Sequence, residues 1–232
     1  VPSNQYDKII ESTYPASRLD ESSDYLVYGF LTKENTDTKY YLTLLILLSA
    51  LFHMDSSKIR NQIYEQIDPE DFTARIGYGV RSSIILQAQK TDASKLDRFI
   101  QIIENGLKEA SKGMNKESLK SAFSIFEYGQ REQLISVMRG LTYFLMWSFE
   151  KPVFESFKIV DYLDELRDLI DTDYYENFIR DNFIDNPTKL IYIAKPSTKY
   201  TEEKQAELKS YIENLNSTMT KEKLELIRTD LE

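Results

Sequence analysis

The sequence MNKESLKSAFSIFEYGQREQLISVMRGLTYFLMWSFEKP, from Met114 to Pro152, is the stretch that decides the fold. Asn115 is a favourable helix N-cap, and Glu117 lies in the first turn, where the helix dipole favours an acid. Pro152 marks the end, because proline cannot continue a helix. The stretch therefore predicts one long helix. Its apolar residues recur at helical spacing and predict one buried stripe: Leu119, Ala122, Phe123, Phe126, Leu134, Val137, Met138, Leu141, Phe144 and Leu145.

The long helix also carries a candidate ion pair and two large anchors. Glu127 and Arg131 are four residues apart, so they can pair along the helix surface. Phe126 and Trp147 are expected to be buried on the side that faces the sheet. Taken by itself, the stretch predicts no more than the longest helix of a globular domain.

Composition limits the classes of protein. The chain has 232 residues, of which 41% are hydrophobic, so it can bury the core of one large domain or two small ones. Its net charge is −9, and no run of Lys and Arg is interleaved with aromatic residues, so nucleic acid is not an expected partner. It has no cysteine, which excludes disulfides and thiolate chemistry.

No segment suggests a membrane protein. Tyr40–Leu51 is the most apolar run, but a membrane-spanning helix needs about 20 residues, so a buried helix is predicted. Together with the absence of cysteine, this predicts a cytoplasmic protein, or a protein of an organelle matrix in a eukaryote. The chain begins at Val1 without an initiator Met, which suggests a processed chain or part of a longer one.

The remaining elements alternate between strands and helices. Asn4–Asp24 is predicted to be a linker or an extended lead-in. The predicted strands are Asp24–Thr32, Asp71–Arg81, Ser82–Lys90 and Lys189–Ala194, the last ended by Pro196, and Gly77 and Gly79 mark a bulge or bend. The other predicted helices run from Asp37 or Thr38 to Met54, then over Ser56–Gln66, Asp92–Lys112, Glu155–Ile170, Thr172–Asn182, Thr201–Leu215 and Thr220–Leu231.

This order predicts an α+β fold: a mixed, largely antiparallel sheet with helices packed on one face, followed by a C-terminal helical extension. The predicted boundaries are an αβ domain over residues 1–200 and the start of a helical arm over residues 201–232. The last two helices carry thin apolar stripes, which is typical of an arm that needs a partner surface.

No catalytic constellation is found in the sequence. His53 is the only histidine, whereas a catalytic zinc commonly takes three protein ligands that include two or more histidines. No G-x-S-x-G elbow surrounds a serine, and Gly77 and Gly79 lack the rest of a dinucleotide-binding motif. The chemistry of the residues therefore indicates a non-catalytic domain, with no metal and no cofactor of its own.

The order of residues in the long helix resembles that of a known family. An aromatic residue and a glutamate come first, then an Arg-Glu pair, a Gly-Leu pair, a tryptophan and a closing proline: Phe126, Glu127, Arg131, Glu132, Gly140, Leu141, Trp147 and Pro152. The chain is similar to the second domain of presequence-protease-type zinc metallopeptidases, in the pitrilysin/insulinase superfamily. The similarity runs from about Pro15 to Leu231. It includes the strand DYLVYGFLT, the leucine-rich helix, Asn186-Pro187 and Lys195-Pro196-Ser197.

The resemblance implies a LuxS/metallopeptidase-like αβ domain that forms part of the wall of a chamber for unfolded peptides. The family's first domain carries zinc on an H-x-x-E-H motif, which this sequence lacks, so no catalytic or metal-binding residue is transferred. The implied partners are the catalytic domain and the second half of the same enzyme, together with the unfolded peptide. Phe126, Glu127, Arg131, Gly140, Trp147 and Pro152 are carried over as structural residues only.

Two other interpretations remain open. The chain is a generic α+β domain if the helix matches the family by chance. It is a standalone interaction or scaffold domain, or the inactive subunit of a two-chain peptidase, if no catalytic domain shares its polypeptide. An H-x-x-E-H motif upstream in the same polypeptide distinguishes the single-chain enzyme from these alternatives.

Overall fold

The computed structural model describes residues 9–17, 23–33, 37–77, 82–135, 137–138, 140–141 and 159–218. The strands are β1 (Ile9–Pro15), β2 (Asp24–Leu31), β3 (Asp71–Gly77), β4 (Ser83–Thr91) and β5 (Lys189–Ser197). The helices are α1 (Thr38–Leu48), α2 (Lys58–Gln66), α3 (Leu96–Ala110), α4 (Lys116–Ile135), α5 (Ile159–Asp168), α6 (Tyr174–Ile179) and α7 (Tyr200–Thr218). Helices α1 and α6 continue as π-helical turns, Ser49–His53 and Arg180–Ile184, and a short 3₁₀ turn, Ala93–Lys95, precedes α3.

The five strands form one mixed sheet in the order β1-β5-β2-β4-β3. The β5–β2, β2–β4 and β4–β3 pairs are antiparallel, and β1 is parallel to β5. This confirms the predicted α+β class with a largely antiparallel sheet.

Local capping residues fix where the helices begin. Asp37 accepts a hydrogen bond from the Tyr40 N–H at the start of α1, which selects Asp37 over Thr38 as the cap. Ser57 accepts one from the Arg60 N–H at the start of α2. The Asn115 side chain accepts from two N–H groups in the first turn of α4, so the predicted cap is confirmed.

The core lies between the sheet and the helices. Leu26, Tyr28 and Phe30 of β2 point into it, and side chains from α1, α2, α3 and α6 cover them. Several large aromatic side chains are almost fully buried there: Tyr28, Phe30, Phe52, Phe99, Phe123, Tyr175 and Phe183. Within the described ranges no single helix is long and apolar enough to cross a membrane; α1 with its π-helical turn and α2 would reach that length only as a pair bent by 44°.

Two predictions about strands are corrected by the structure. The predicted lead-in contains β1, a strand that forms by parallel pairing with β5, in which Glu11 also pairs with Lys195 at 2.9 Å. Strand β5 continues through Pro196, because β2 pairs with β5 only as far as Ala194 and the missing N–H costs no bond to β2.

The predicted bulge or bend at Gly77 and Gly79 is tested only in part. Gly77 pairs regularly with Ser83, and Gly79 lies outside the described residues, so a bend there stays a prediction. A register shift occurs elsewhere, between Asp24 and Leu26 of β2. The opposite stretch of β4 contains Lys90, whose backbone takes a left-handed φ of 51°.

The predicted long helix ends earlier than expected. Helix α4 stops at Ile135, and residues 137–138 form a turn. Leu119, Ala122 and Phe123 are buried as predicted, but Val137, Met138 and Leu141 are exposed. The turn breaks the helical period, so residues beyond it no longer share the buried face. Phe144 and Leu145 lie outside the described residues, as does the side chain of Leu134.

Candidate functional site

One face of the sheet is only partly covered. Along each strand alternate residues point to opposite faces, and the residues opposite the core are half-buried at most positions. On the three inner strands these residues constitute what we call the open sheet face: Tyr25, Val27, Gly29, Leu31, Ser83, Ile85, Gln87, Gln89, Leu190, Tyr192, Ala194 and Pro196. Since inner-strand residues have neighbours on both sides, their partial exposure shows that the described helices do not cover this face.

The open sheet face carries no charge. None of its twelve residues is Asp, Glu, Lys, Arg or His, although charged residues make up 29% of the chain. Charges border this face at two places. Asp71 and Arg75 extend it on the edge strand β3, and the exposed Lys90 of β4 pairs with Glu70 at 2.6 Å and interacts electrostatically with Tyr14 and Tyr25. Aromatic and aliphatic residues without charges, bordered by polar ones, are typical of a surface that contacts another polypeptide.

The shape of this face is set by small and aromatic residues. Val27 lies between Tyr192 and Gln87 on the neighbouring strands. Gly29 lies between Leu190 and Ile85 and is itself buried, because it has no side chain that rises above its neighbours. At one end Tyr14 packs edge-to-face on Tyr25, with ring centroids 5.2 Å apart. The Tyr14 hydroxyl already donates to the Ser23 carbonyl at 2.6 Å, so these rings offer flat aromatic surface for contact with a polypeptide backbone.

The opposite face is anchored to α3 by a polar contact. The Tyr28 hydroxyl donates to Glu104 Oε1 at 2.8 Å, and Lys189 Nζ donates to the same oxygen at 3.2 Å. Burial raises the pKa of Tyr28, and the glutamate raises it further. Burial alone would raise the pKa of Glu104, but the bonds from Tyr28 and Lys189 outweigh burial and lower it. The two inner strands β2 and β5 are therefore fixed to one helix.

The predicted pair in α4 belongs to a larger cluster. Arg131 donates to Glu127 at 2.8 Å, and Arg167 of α5 donates to the same carboxylate. Arg167 also bonds Asp164 at 2.8 Å, and its guanidinium lies 5.4 Å from the centre of the Phe123 ring. Burial would raise the pKa of Glu127, but the two arginines outweigh it and lower the pKa. The cluster ties α4 to α5, a contact that local spacing could not predict.

The other structural residues have mixed outcomes. Phe126 is half-buried against the core, but α4 packs mainly on α1 and its π-helical turn, so its apolar side faces a helix layer and not the sheet. Gly140 is exposed, and no atom lies within 4 Å of the point where a Cβ would stand. Trp147 and Pro152 lie outside the described residues. Their structural role stays a prediction.

The described residues do not fit a zinc site. His53 is exposed at the end of its π-helical turn. In the described part of the chain, no three or more His, Cys, Asp or Glu side chains are grouped so that they could hold a metal ion. The chain therefore offers no donor set, within those ranges, through which a zinc-dependent step could be derived.

The open sheet face was not predicted from the sequence. Its signal is present in β4, where Ile85, Gln87 and Gln89 alternate with the buried Ile84, Leu86 and Ala88. Alternation of this kind indicates one covered and one uncovered face. It could not show that β2, β4 and β5 lie side by side, because that order depends on pairing between distant segments.

Two comparisons with known proteins use the sequence alone. No family model matches the chain. Protein HypA of Clostridium perfringens is 22% identical over 150 residues, which are 62% of this chain and 15% of HypA. The chain thus spans a small part of the curated relative that it matches.

Solved structures extend the comparison to most of the chain. The inactive peptidase domain of a predicted zinc protease from Bordetella parapertussis superposes with a TM-score of 0.63 at 12% identity, covering 78% of this chain and 98% of that one. A protease from Helicobacter pylori superposes with a TM-score of 0.62 at 12% identity, covering 83% of this chain and 46% of the protease chain. A predicted M16-like peptidase from Alicyclobacillus acidocaldarius superposes with a TM-score of 0.59 at 15% identity, covering 81% of this chain and 43% of the peptidase chain. The chain therefore has the fold of M16-like peptidase domains, including an inactive one, which confirms at the level of the fold its resemblance to the pitrilysin/insulinase type.

Proposed function

We propose that the chain is a non-catalytic domain of a pitrilysin/insulinase-type zinc metallopeptidase and forms part of the wall of a chamber that holds unfolded peptides. The uncharged open sheet face carries this proposal. A chamber wall that accepts many peptide sequences must contact backbone and apolar side chains without selecting one charge. Tyrosine, glutamine and aliphatic residues on a flat sheet meet that requirement.

The chemistry of the chain supports the non-catalytic role. A zinc peptidase requires metal ligands and a general base, and the only histidine, His53, is exposed with no other metal donors grouped around it in the described ranges. Peptide hydrolysis is therefore assigned to another domain of the parent protein, which carries the zinc. The chain's partners are that catalytic domain, the second half of the enzyme and the unfolded peptide, in the cytoplasm or an organelle matrix.

The alternative is an inactive subunit that pairs with a separate zinc-bearing chain. The lack of an H-x-x-E-H motif in this sequence is equally expected of such a subunit. The full-length reading frame decides between the two. An H-x-x-E-H motif upstream in the same polypeptide supports the single-chain enzyme, and its presence only in a separate chain supports the subunit.

A substitution on the open sheet face tests the wall function in the assembled peptidase. Val27→Asp places one charge at the centre of the face, and we expect a several-fold higher KM for a neutral unfolded peptide with unchanged kcat, because only substrate binding is affected. Ser121→Asp on the exposed side of α4 adds the same charge away from the face and serves as the matched control. Equal KM values for both variants and the unsubstituted enzyme would contradict the proposal.

A further inference from the structure

A concave site lies where α1 begins and α6 ends, away from the residues of the open sheet face. It is a cavity of 400 Å³, within the range of about 300–1,000 Å³ that small-molecule sites occupy. Its walls include the rings of Tyr40, Tyr174 and Phe178. We call it the aromatic pocket.

The three rings form an arc with Phe178 in the middle. The Phe178 centroid is 4.9 Å from that of Tyr40 and 6.4 Å from that of Tyr174, and the planes are tilted by 46° and 45°. Both tyrosines are held in place: the Tyr40 hydroxyl donates to Asn182 Oδ1 at 3.1 Å, and the Tyr174 hydroxyl lies 3.0 Å from the Thr43 hydroxyl. The rings are thus positioned before any ligand binds.

The pocket also holds two carboxylates. Asp37 caps α1 and accepts the Tyr40 N–H at 2.7 Å, which offsets the positive end of that helix dipole. Asp181 lies on the π-helical turn after α6, and its side chain is 60% exposed. Its partner Lys33 is 56% exposed and 3.9 Å away, and exposed pairs of this kind contribute only about 0–1 kcal/mol. A better-fitting cation can therefore displace Lys33.

The remaining lysine shows how the rings interact with a cation. Lys39 pairs with Glu165 of α5, so its charge is neutralised. Its ammonium also lies 5.3 Å from the centroid of the Tyr174 ring, a cation–π contact. Phe178 is buried, so the partly exposed rings of Tyr40 and Tyr174 supply the aromatic faces. The pocket combines these faces with a weakly paired carboxylate and with lysines that already have acidic partners.

We propose that the aromatic pocket binds the guanidinium group of an arginine in an unfolded peptide. Arginine fits better than lysine because its planar fork can stack on a ring and bond a carboxylate with two N–H groups at once. The net charge of −9 attracts basic peptides to the chain as a whole. The peptide as the source of the arginine rests on the proposed function, whereas binding of the guanidinium itself does not.

The isolated chain and a small probe test the proposal. N-acetyl-arginine amide is titrated into ¹⁵N-labelled protein, and the amide shifts of Asn177 and Asp181 are followed. We expect saturable shifts at these positions and at least threefold weaker binding of the citrulline analogue, which keeps the shape of arginine without its charge. Equal binding of the two probes, or shifts spread over the surface without saturation, overturns the proposal.

Two variants locate the binding. Asp181→Asn is expected to weaken arginine binding at least threefold, whereas Asp161→Asn, an exposed aspartate on α5, leaves it unchanged. Tyr174→Leu removes a ring and is expected to weaken binding by a similar factor, with the melting temperature measured to confirm folding. Arginine binding that is unchanged in Asp181→Asn contradicts the site. Because these measurements need no peptidase activity, their failure is distinct from an unchanged KM in Val27→Asp.

Discussion

The packing of α2 on α3 depends on the absence of one side chain. An ideal Cβ on Gly106 would lie 2.3 Å from Ile59 Cγ1 and 2.6 Å from Ile59 Cδ1. Carbon atoms in favourable contact are about 3.5–4.0 Å apart, so Gly106→Ala creates a severe overlap with both atoms. Ile59 is 4% exposed and branched at Cβ, which leaves it few alternative rotamers in a helix.

Two opposing effects determine the size of the change. Alanine is favoured over glycine in a helix by about 1 kcal/mol, whereas overpacking a core costs about 1–3 kcal/mol. Because Cγ1 lies close to the backbone of α2 and cannot swing away freely, we place the cost near the upper end of that range. The free energy of unfolding should therefore fall by about 1–2 kcal/mol, measured by urea denaturation monitored by circular dichroism.

A matched control isolates the steric effect. Gly129 in α4 has no atom within 4 Å of its ideal Cβ position. Gly129→Ala should therefore gain helix propensity without a clash and raise the free energy of unfolding by up to about 1 kcal/mol. The two Gly→Ala variants are expected to shift stability in opposite directions.

A double-mutant cycle provides the decisive result. Ile59→Ala removes both clashing atoms and by itself costs about 2–5 kcal/mol as a large-to-small core change. In that background Gly106→Ala should become neutral or stabilising, since the remaining Ile59 Cβ is 3.5 Å away. If Gly106→Ala instead stabilises the unsubstituted protein as Gly129→Ala does, the close approach of α2 and α3 is refuted.

The remaining predictions concern one side chain in α4, one buried carboxylate, metal binding and the last described helix. Replacing a fully buried phenylalanine by alanine costs about 3–5 kcal/mol. Because Phe126 is half-buried, Phe126→Ala should lower the free energy of unfolding by less than this. No change in urea denaturation would mean that Phe126 does not lie on the packed face of α4. Burial would raise the pKa of Glu176, but bonds from Lys116 and the Met114 N–H outweigh burial and lower the pKa. The contribution of Glu176 to the stability of the fold is therefore complete above the unfolded pKa of about 4.3, and it is lost as pH falls through the lower folded pKa. Glu176→Gln should therefore flatten the acid side of a stability–pH profile, and an identical acid side in both proteins contradicts this. The isolated chain should neither bind stoichiometric zinc nor cleave peptides, as metal analysis and a chelator-controlled protease assay would show. Amides of α7 in a monomeric protein should exchange faster than those of α4, because the apolar residues of α7 from Leu208 onward are exposed; equal protection would contradict an arm that extends from the domain.

Much of the fold could be predicted from local sequence. The caps Asp37, Ser57 and Asn115 begin helices because their side chains bond N–H groups only two or three residues away. The alternation in β4 predicts a strand with one covered face for the same local reason. The order of residues from Phe126 to Pro152 also predicted the fold of a peptidase family, and the solved M16-like peptidase domains have that fold.

The open sheet face and the aromatic pocket could not be predicted in this way. The aromatic pocket brings Tyr40 next to Phe178, which is far along the chain, and no local periodicity encodes that contact. Val137 is exposed because it lies in a turn. The spacing of apolar residues around it nevertheless predicts a continuous helix, so the turn could not be inferred from the sequence.

The sequence by itself determined the helix starts, most of the strands and the lack of a zinc-binding motif, because these depend on residue types and on neighbours a few positions apart. Only the tertiary structure decided that β1 pairs in parallel with β5, that Pro196 is accommodated within a strand, and that the arginines of two helices share Glu127. These features depend on which distant segments meet, and that is set by the burial of the whole core at once.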